Sequence, residues 1–322
     1  MKTLFSIIMI STILSKPKSQ VDDSFIWLEE IDNPKVLAWV KKQNNATEKE
    51  LSSYSIYKDI YNESLKTLNA DNRIAWPKST KDHVYNFWQD ENNVRGLWRR
   101  SPKDLYLKGQ PVWENLLDID NLSSEDNIKW VYQGVSFITP KYNKALVSLS
   151  KGGGDATVIR EYDLTKKSFV SNGFYLAESK GGAIWLNKDA LVVAREYGEG
   201  TLTKSGYPRQ ARILGRGMSM GESVILHEIP EDYIGIFLES MQYRGENCPV
   251  LHVLKDFYSV EYLVYYNNKL VKLNIPAATS VYNIIGEQLV FKIKSDWKQG
   301  NTIYTKGSLL STNFKSLIYG ET

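Results

Sequence analysis

One kind of segment recurs along most of this 322-residue chain, and it restricts the fold more than any single motif does. Five short apolar runs begin at Val84 (VYNFW), Ala145 (ALVSL), Ala190 (ALVVA), Ile234 (IGIFL) and Gln288 (QLVFK), with successive starts 61, 45, 44 and 54 residues apart. Each is followed by a polar or glycine-bearing turn and a further strand-like run: Thr157–Tyr162, Gln210–Leu214, Leu251–Leu254 and Asn301–Thr305 after the last four. Apolar runs of this length between such turns read as β-strands. A repeat of about 40–50 residues built of several short strands is the signature of propeller blades, small sheets that bury their faces only against their neighbours. The expectation is therefore a mainly β chain carrying a β-propeller of about five blades over residues 73–322. An irregular β-sandwich is the alternative that the same strands allow.

The first unit opens with YNFWQDENNVRGLWRR, Tyr85–Arg100, two aromatic runs around a polar turn. His83–Gln89 places Val84, Asn86 and Trp88 on one face and Tyr85 and Phe87 on the other. Asp90–Asn93 are turn formers, and Val94–Arg99 reads as the returning strand with Leu97 and Trp98. A lone hairpin is marginal in water, so this one must stack on more sheet. The 9 Trp and 20 Tyr of the chain suit sheet surfaces better than a helical bundle.

Before residue 73 the pattern is different. Lys2 precedes the uncharged run Leu4–Leu14, which Ser15-Lys16-Pro17-Lys18 follows; this fits a secretory signal over residues 1–20, too short to span a bilayer. An exported protein without a stable membrane anchor is expected, the alternative being a misassigned start and a cytoplasmic chain. Residues 21–72 read as a short helical segment. Asp32-Asn33-Pro34 marks a helix start, with Val36, Leu37 and Val40 on one face. Ile56, Tyr57, Ile60, Tyr61, Leu65 and Leu68 then follow at i, i+3, i+4 spacing. Helical periodicity ends at Asp71-Asn72-Arg73.

The net charge of +3 is small and scattered, and no basic run interleaves with aromatics, so a nucleic-acid partner is not expected. The one cysteine, Cys248, excludes an intrachain disulfide and reads as a small buried hydrophobe.

Four stretches together resemble the N-terminal part of the prolyl oligopeptidase family of serine peptidases: Phe25-Ile-Trp-Leu-Glu-Glu, the opening hairpin, Gly152-Gly-Gly-Asp-Ala-Thr-Val-Ile-Arg-Glu-Tyr-Asp-Leu, and Ser205-Gly-Tyr-Pro-Arg. The likeness runs from about residue 22 to the end of the chain. It implies an N-terminal helical segment and a seven-bladed propeller that caps an α/β-hydrolase domain and restricts entry to short peptides. It also implies hydrolysis after proline by a Ser-Asp-His triad on that hydrolase. The sequence ends where the family continues into further blades and the hydrolase, so the expected propeller is incomplete. An α/β-hydrolase partner in cis or in trans is then needed. No residue matches a triad member, and no catalytic, cofactor-binding or metal residue is assigned.

Gly217-Met-Ser219-Met-Gly221 fits the G-x-S-x-G pattern of a nucleophile elbow, which needs a strand before the serine and a helix after it. Ser223–Ile229 reads as another strand, so Ser219 reads as a turn residue, and an independent serine hydrolase is the weakest alternative. His83, His227 and His252 lack a second ligand at metal spacing. Asp118-Ile-Asp-Asn lacks the glycine and glutamate of a calcium loop. Gly152–Asp155 precedes a strand and reads as a hairpin turn, where a phosphate loop would lead into a helix. Arg209 reads as loop packing, with contact to a peptide carboxylate as the alternative. A stand-alone propeller that binds a ligand or protein is the remaining alternative function.

Overall fold

The computed structural model describes residues 23–30 and 32–320; the signal segment expected over 1–20 lies outside them. The chain divides into two compact units, residues 1–68 and 69–322.

In the first unit a turn of 3-10 helix, Ile26–Glu29, precedes α1 (Pro34–Ser52) and α2 (Ser55–Leu68). Asn33 caps α1, its side chain accepting from the Lys35 amide at 2.9 Å, and Pro34 takes the first position, where its missing N–H costs nothing. Phe25 and Trp27 pack on Trp39 of α1. The apolar face expected at Val36, Leu37 and Val40 is covered only at Val36; Leu37 is 55% exposed and the apolar positions of α2 are all exposed. A two-helix hairpin buries only the stripe where its own elements meet.

The second unit is five antiparallel blades, which excludes the sandwich. Blade one comprises Lys78–Ser79, His83–Trp88, Leu97–Pro102 and Glu114–Asp118. Blade two comprises Trp130–Phe137, Lys144–Lys151, Thr157–Asp163 and Ser168–Phe169, with Tyr175–Ser179 also paired to its third strand. Blade three comprises Gly181–Asn187, Ala190–Arg195, Gln210–Gly215 and Val224–Glu228. Blade four comprises Gly235–Tyr243, Glu246–Leu254, Val260–Tyr266 and Lys269–Lys272. Blade five comprises Thr279–Ile285, Gln288–Ile293 and Leu309–Asn313, with a side hairpin at Trp297–Gln299 and Thr302–Tyr304.

The core is four layers, one between each pair of consecutive blades. Tyr85, Trp98 and Leu116 of blade one meet Phe137, Ala145 and Val147 of blade two. Leu146 and Ile159, which alternate with those residues along blade two, point the other way and meet Trp185, Leu191 and Val193 of blade three. Val192 and Ala194 continue to Ile236, Leu251 and Val253 of blade four. Cys248 and Val250 then pack against Leu289, Phe291 and Phe314 beside blade five. A second strand covered on both faces needs apolar residues at every position, which is why these runs stood out in the sequence.

The observed strands differ from the expected ones at several places. Four of the recurrent runs are second strands of blades, but Ile234-Gly-Ile-Phe-Leu leads into the first strand of blade four. Its true counterpart, Glu246–Leu254, begins earlier than Leu251 because the connecting turn is only Arg244-Gly245, both with positive φ. Asn301–Thr305 falls in the side hairpin, the third strand of blade five being Leu309–Asn313. In the opening hairpin the return strand starts at Leu97, since the turn extends to Gly96. Gly96 has φ +101°, and a Cβ there would lie 2.4 Å from the Phe87 ring. Three short helices interrupt the β region: α3 (Lys103–Leu107), α4 (Ile119–Asp126) and α5 (Phe314–Tyr319).

Candidate functional site

The first strands of blades two and four have no further strand on their inner edge, so they face a central hub and are largely half-buried, whereas the second strands of those blades are mostly dry. A cavity of about 610 Å³ sits there, lined from blade one by Lys78 and Thr80, from blade two by Gln133 and Ser136, and from blade four by Glu239, Ser240 and Gln242. Lys78 donates to the Val135 carbonyl at 2.7 Å and stands 5.3 Å from the centre of the Phe137 ring. Burial pushes its pKa down. Across the hub the Glu239 carboxylate lies 2.9 Å from Nε2 of His252, whose ring rests edge-on against Tyr262. The two groups are in contact without hydrogen-bond alignment.

One end of the hub is crossed by a bar of side chains. The first hairpins of blades three and four both close in two-residue turns, Asn187 pairing with Ala190 and Tyr243 with Glu246, but the first strand has 7 residues in blade three and 9 in blade four. The turn of blade two, Ile138–Asn143, reaches past blade three to that longer hairpin. Thr139 donates its hydroxyl to the Asn247 side-chain oxygen. The Tyr142 hydroxyl donates to Oε1 of Gln242 at 2.9 Å and accepts from Nε2 at 2.6 Å. Gln242 and Asn247 are cross-strand partners, so the bar clasps both strands of the hairpin.

Beyond the bar lies a second cavity of about 710 Å³, at the rim between blades two, three and four. Behind its wall the Glu161 side chain, fully buried, accepts from Lys144 at 2.7 Å, from Arg216 at 2.7 Å and from the Phe174 amide at 2.9 Å. Burial alone would push its carboxyl up; these donors outweigh that and hold it below the usual carboxylate range. Arg216 also lies over the Phe174 ring.

The residues singled out in the sequence lie apart from both cavities except as walls of the fold. Ser219 caps a single 3-10 turn, Met220–Glu222, its hydroxyl and amide both bound to the Glu222 carboxylate at 2.7 Å. A strand follows, where a nucleophile elbow requires a helix. His83, His227 and His252 belong to blades one, three and four, and no cluster of three metal-ligating side chains exists among the described residues. Cys248 is buried and its thiol is pushed up to about 12 by burial. Asp118 caps α4, accepting from the Asn121 amide at 2.9 Å. Gly152 and Gly153 take positive φ in the hairpin turn. Arg209 is tied into its loop by the Ile229 carbonyl at 2.8 Å, the Gly200 carbonyl at 3.1 Å and Glu228 at 2.5 Å.

The bar itself had no sequence signal. Its partners are 108 and 100 positions apart, and only the folded array brings them together.

Comparison with known proteins agrees with this geometry. The family description "Prolyl oligopeptidase, N-terminal beta-propeller domain" matches residues 11–240. An uncharacterized peptidase of Rickettsia prowazekii is 33% identical over 309 residues, covering 92% of this chain and 43% of its own. An uncharacterized peptidase of Sinorhizobium fredii is 31% identical over 321 residues, covering 94% and 43%. The solved structure of a post-proline cleaving enzyme from Rickettsia typhi superimposes with a TM-score of 0.81 at 33% identity, over 91% of this chain and 44% of that one. Oligopeptidase B from Trypanosoma brucei, at 14% identity and a TM-score of 0.62 over 92% of this chain and 40% of that one, shares the fold. The chain thus spans less than half the length of these relatives.

Proposed function

The chain belongs to the prolyl oligopeptidase family, and on that premise we propose that it is the substrate-gating propeller part of a peptidase that hydrolyses short peptides after proline. The chemistry is assigned to an α/β-hydrolase domain, in cis or in trans, with a serine nucleophile that is not Ser219. The observation that carries the gating role is the bar from Thr139 and Tyr142 to Asn247 and Gln242, which narrows one mouth of the hub. Side chains crossing that mouth obstruct a folded or bulky substrate, whereas a short peptide entering elsewhere still reaches a catalyst seated on the array.

The test is reconstitution. The chain is combined with the hydrolase portion of a family member, and cleavage of a proline-containing hexapeptide is compared with that of a folded or 40-residue substrate. The expected result is selective suppression of the long substrate on adding the chain. Equal effects on both substrates would sink the gating role. Independent fluorophosphonate labelling of the chain at Ser219, abolished in Ser219→Ala, would overturn the assignment of the chemistry.

A further inference from the structure

The Thr139–Asn247 contact forms part of the wall of the rim cavity. Its volume of about 710 Å³ falls within the roughly 300–1,000 Å³ of small-ligand sites. Its walls differ in charge. The side built by blades two and three carries Lys141, Lys144, Lys188 and Arg216 against two carboxylates, Glu161 and Asp189. Arg216 is nearly spent: four of its five N–H donors go to Glu161 and to the Lys188 carbonyl. Lys144 uses one donor of three on Glu161, and Lys141 has no ionic partner among the described residues. Two ammonium groups, three positions apart, therefore present unfilled donors to the cavity. The facing wall from blade four carries the acidic Glu246, which repels a ligand with negative charge at both ends and confines an anion to the lysine side.

Between the two walls the lining is amide. Asn143, Asn187 and Asn247 lie along it, groups that both donate to and accept from a peptide backbone. We propose that this cavity binds the free carboxylate end of a short peptide, the carboxylate on Lys141 and Lys144 and the preceding amide units along the asparagines. The carboxylate follows from the wall; the choice of a peptide to bear it rests on the function proposed above. Hydrolysis of a peptide bond creates such an end, so a cleavage product fits the site better than an end-blocked substrate.

The test uses the 322-residue chain and isothermal titration with one acetylated tripeptide, ending in proline, as free acid and as C-terminal amide, and with inorganic phosphate. The acid should bind about tenfold more tightly than the amide, as a charge-assisted contact requires. Lys141→Met and Lys144→Met should each bring the acid down towards the amide, while Lys269→Met, outside the cavity, should not. Lys144 also holds Glu161, so the exposed Lys141→Met variant, checked for an unchanged melting profile, decides the matter. The proposal is overturned by equal affinity for acid and amide, by no binding of either, by indifference to Lys141→Met, or by phosphate competing as well as the acid. Binding requires no hydrolase, so a failed reconstitution with intact acid binding condemns the gating role alone.

Discussion

The second strands of blades three and five come from comparably apolar sequence, ALVVAR and QLVFKI, yet they are buried differently. In blade three, Leu191, Val192, Val193 and Ala194 are all at 0% exposure. In blade five only the alternate positions Leu289, Phe291 and Ile293 are buried, while Gln288 and Lys292 face solvent. Blade three has a neighbour on each face, and among the described residues blade five packs on blade four alone. Burial with a period of two therefore records one neighbour and continuous burial records two. Blade one follows the same rule. Val84, Tyr85 and Asn86 are all buried because the segment before it crosses its outer face, where Asn86 donates to the Trp76 carbonyl and Tyr106 to the Ala75 carbonyl.

The largest expected effect comes from removing a side chain that fills a layer between two blades. Trp185 is fully buried between blades two and three, and its indole donates to the Ser136 carbonyl at 3.0 Å. Trp185→Ala should cost about 3–5 kcal/mol, measured from denaturant midpoints. Leu309→Ala on blade five, where the side chain is 66% exposed, should stay within about 0.5 kcal/mol. A large loss at Leu309 would break the comparison, since it would mean that the outer face of blade five is covered in solution.

The sequence made the array legible through these same neighbours. A second strand dry on both faces leaves an uninterrupted apolar run, as in blade three, and four of the five recurrent runs fall on second strands. The first strand of blade two, Trp130–Phe137, escaped notice because hub-facing residues such as Gln133 are polar where a core strand would be apolar. In blade four the second strand starts at Glu246, before the expected Leu251, and Pro249 is buried within it opposite Ser240. The candidate site was less legible still. Thr139, Tyr142, Gln242 and Asn247 are ordinary turn and strand residues, and their meeting depends on blade three having a shorter hairpin than blade four. Relative hairpin length becomes visible only once every strand end is fixed.

An intermediate effect is expected where a polar tie is buried between blades. Glu161→Gln leaves Lys144 and Arg216 facing a neutral amide. Breaking a dry ion pair costs about 3–5 kcal/mol, and both cations here reach solvent, so about 2 kcal/mol is expected. The pH dependence has a definite sign. The folded carboxyl is held below its unfolded value of about 4.3, so its stabilisation is fully present above that value and is lost as pH falls through the folded pKa. The stability gap between wild type and Glu161→Gln should thus be constant from pH 6 to 8 and close on acidification below about pH 4. A gap that persists at low pH would show that the glutamine disturbs packing and that the charge network is incidental.

The smallest effect is expected at the matching tie between blades four and five. Glu287 accepts from the Tyr243 hydroxyl at 2.6 Å and from Arg244 at 3.0 and 3.2 Å. The Arg244 and Glu287 side chains are 60% and 45% exposed, however, so water and salt screen the charges in a way that the Glu161 network escapes. The Arg244 and Tyr243 hydrogen bonds draw the Glu287 carboxyl down. The backbone contact that fixes this corner, Phe314 amide to Glu287 carbonyl at 2.8 Å, survives substitution. Glu287→Gln should therefore leave the denaturation midpoint unresolved from wild type at physiological salt. A clear loss that salt does not diminish would place this tie among the dry ones, and blade five would then be held by its rim as well as by the Leu289, Phe291 and Phe314 layer.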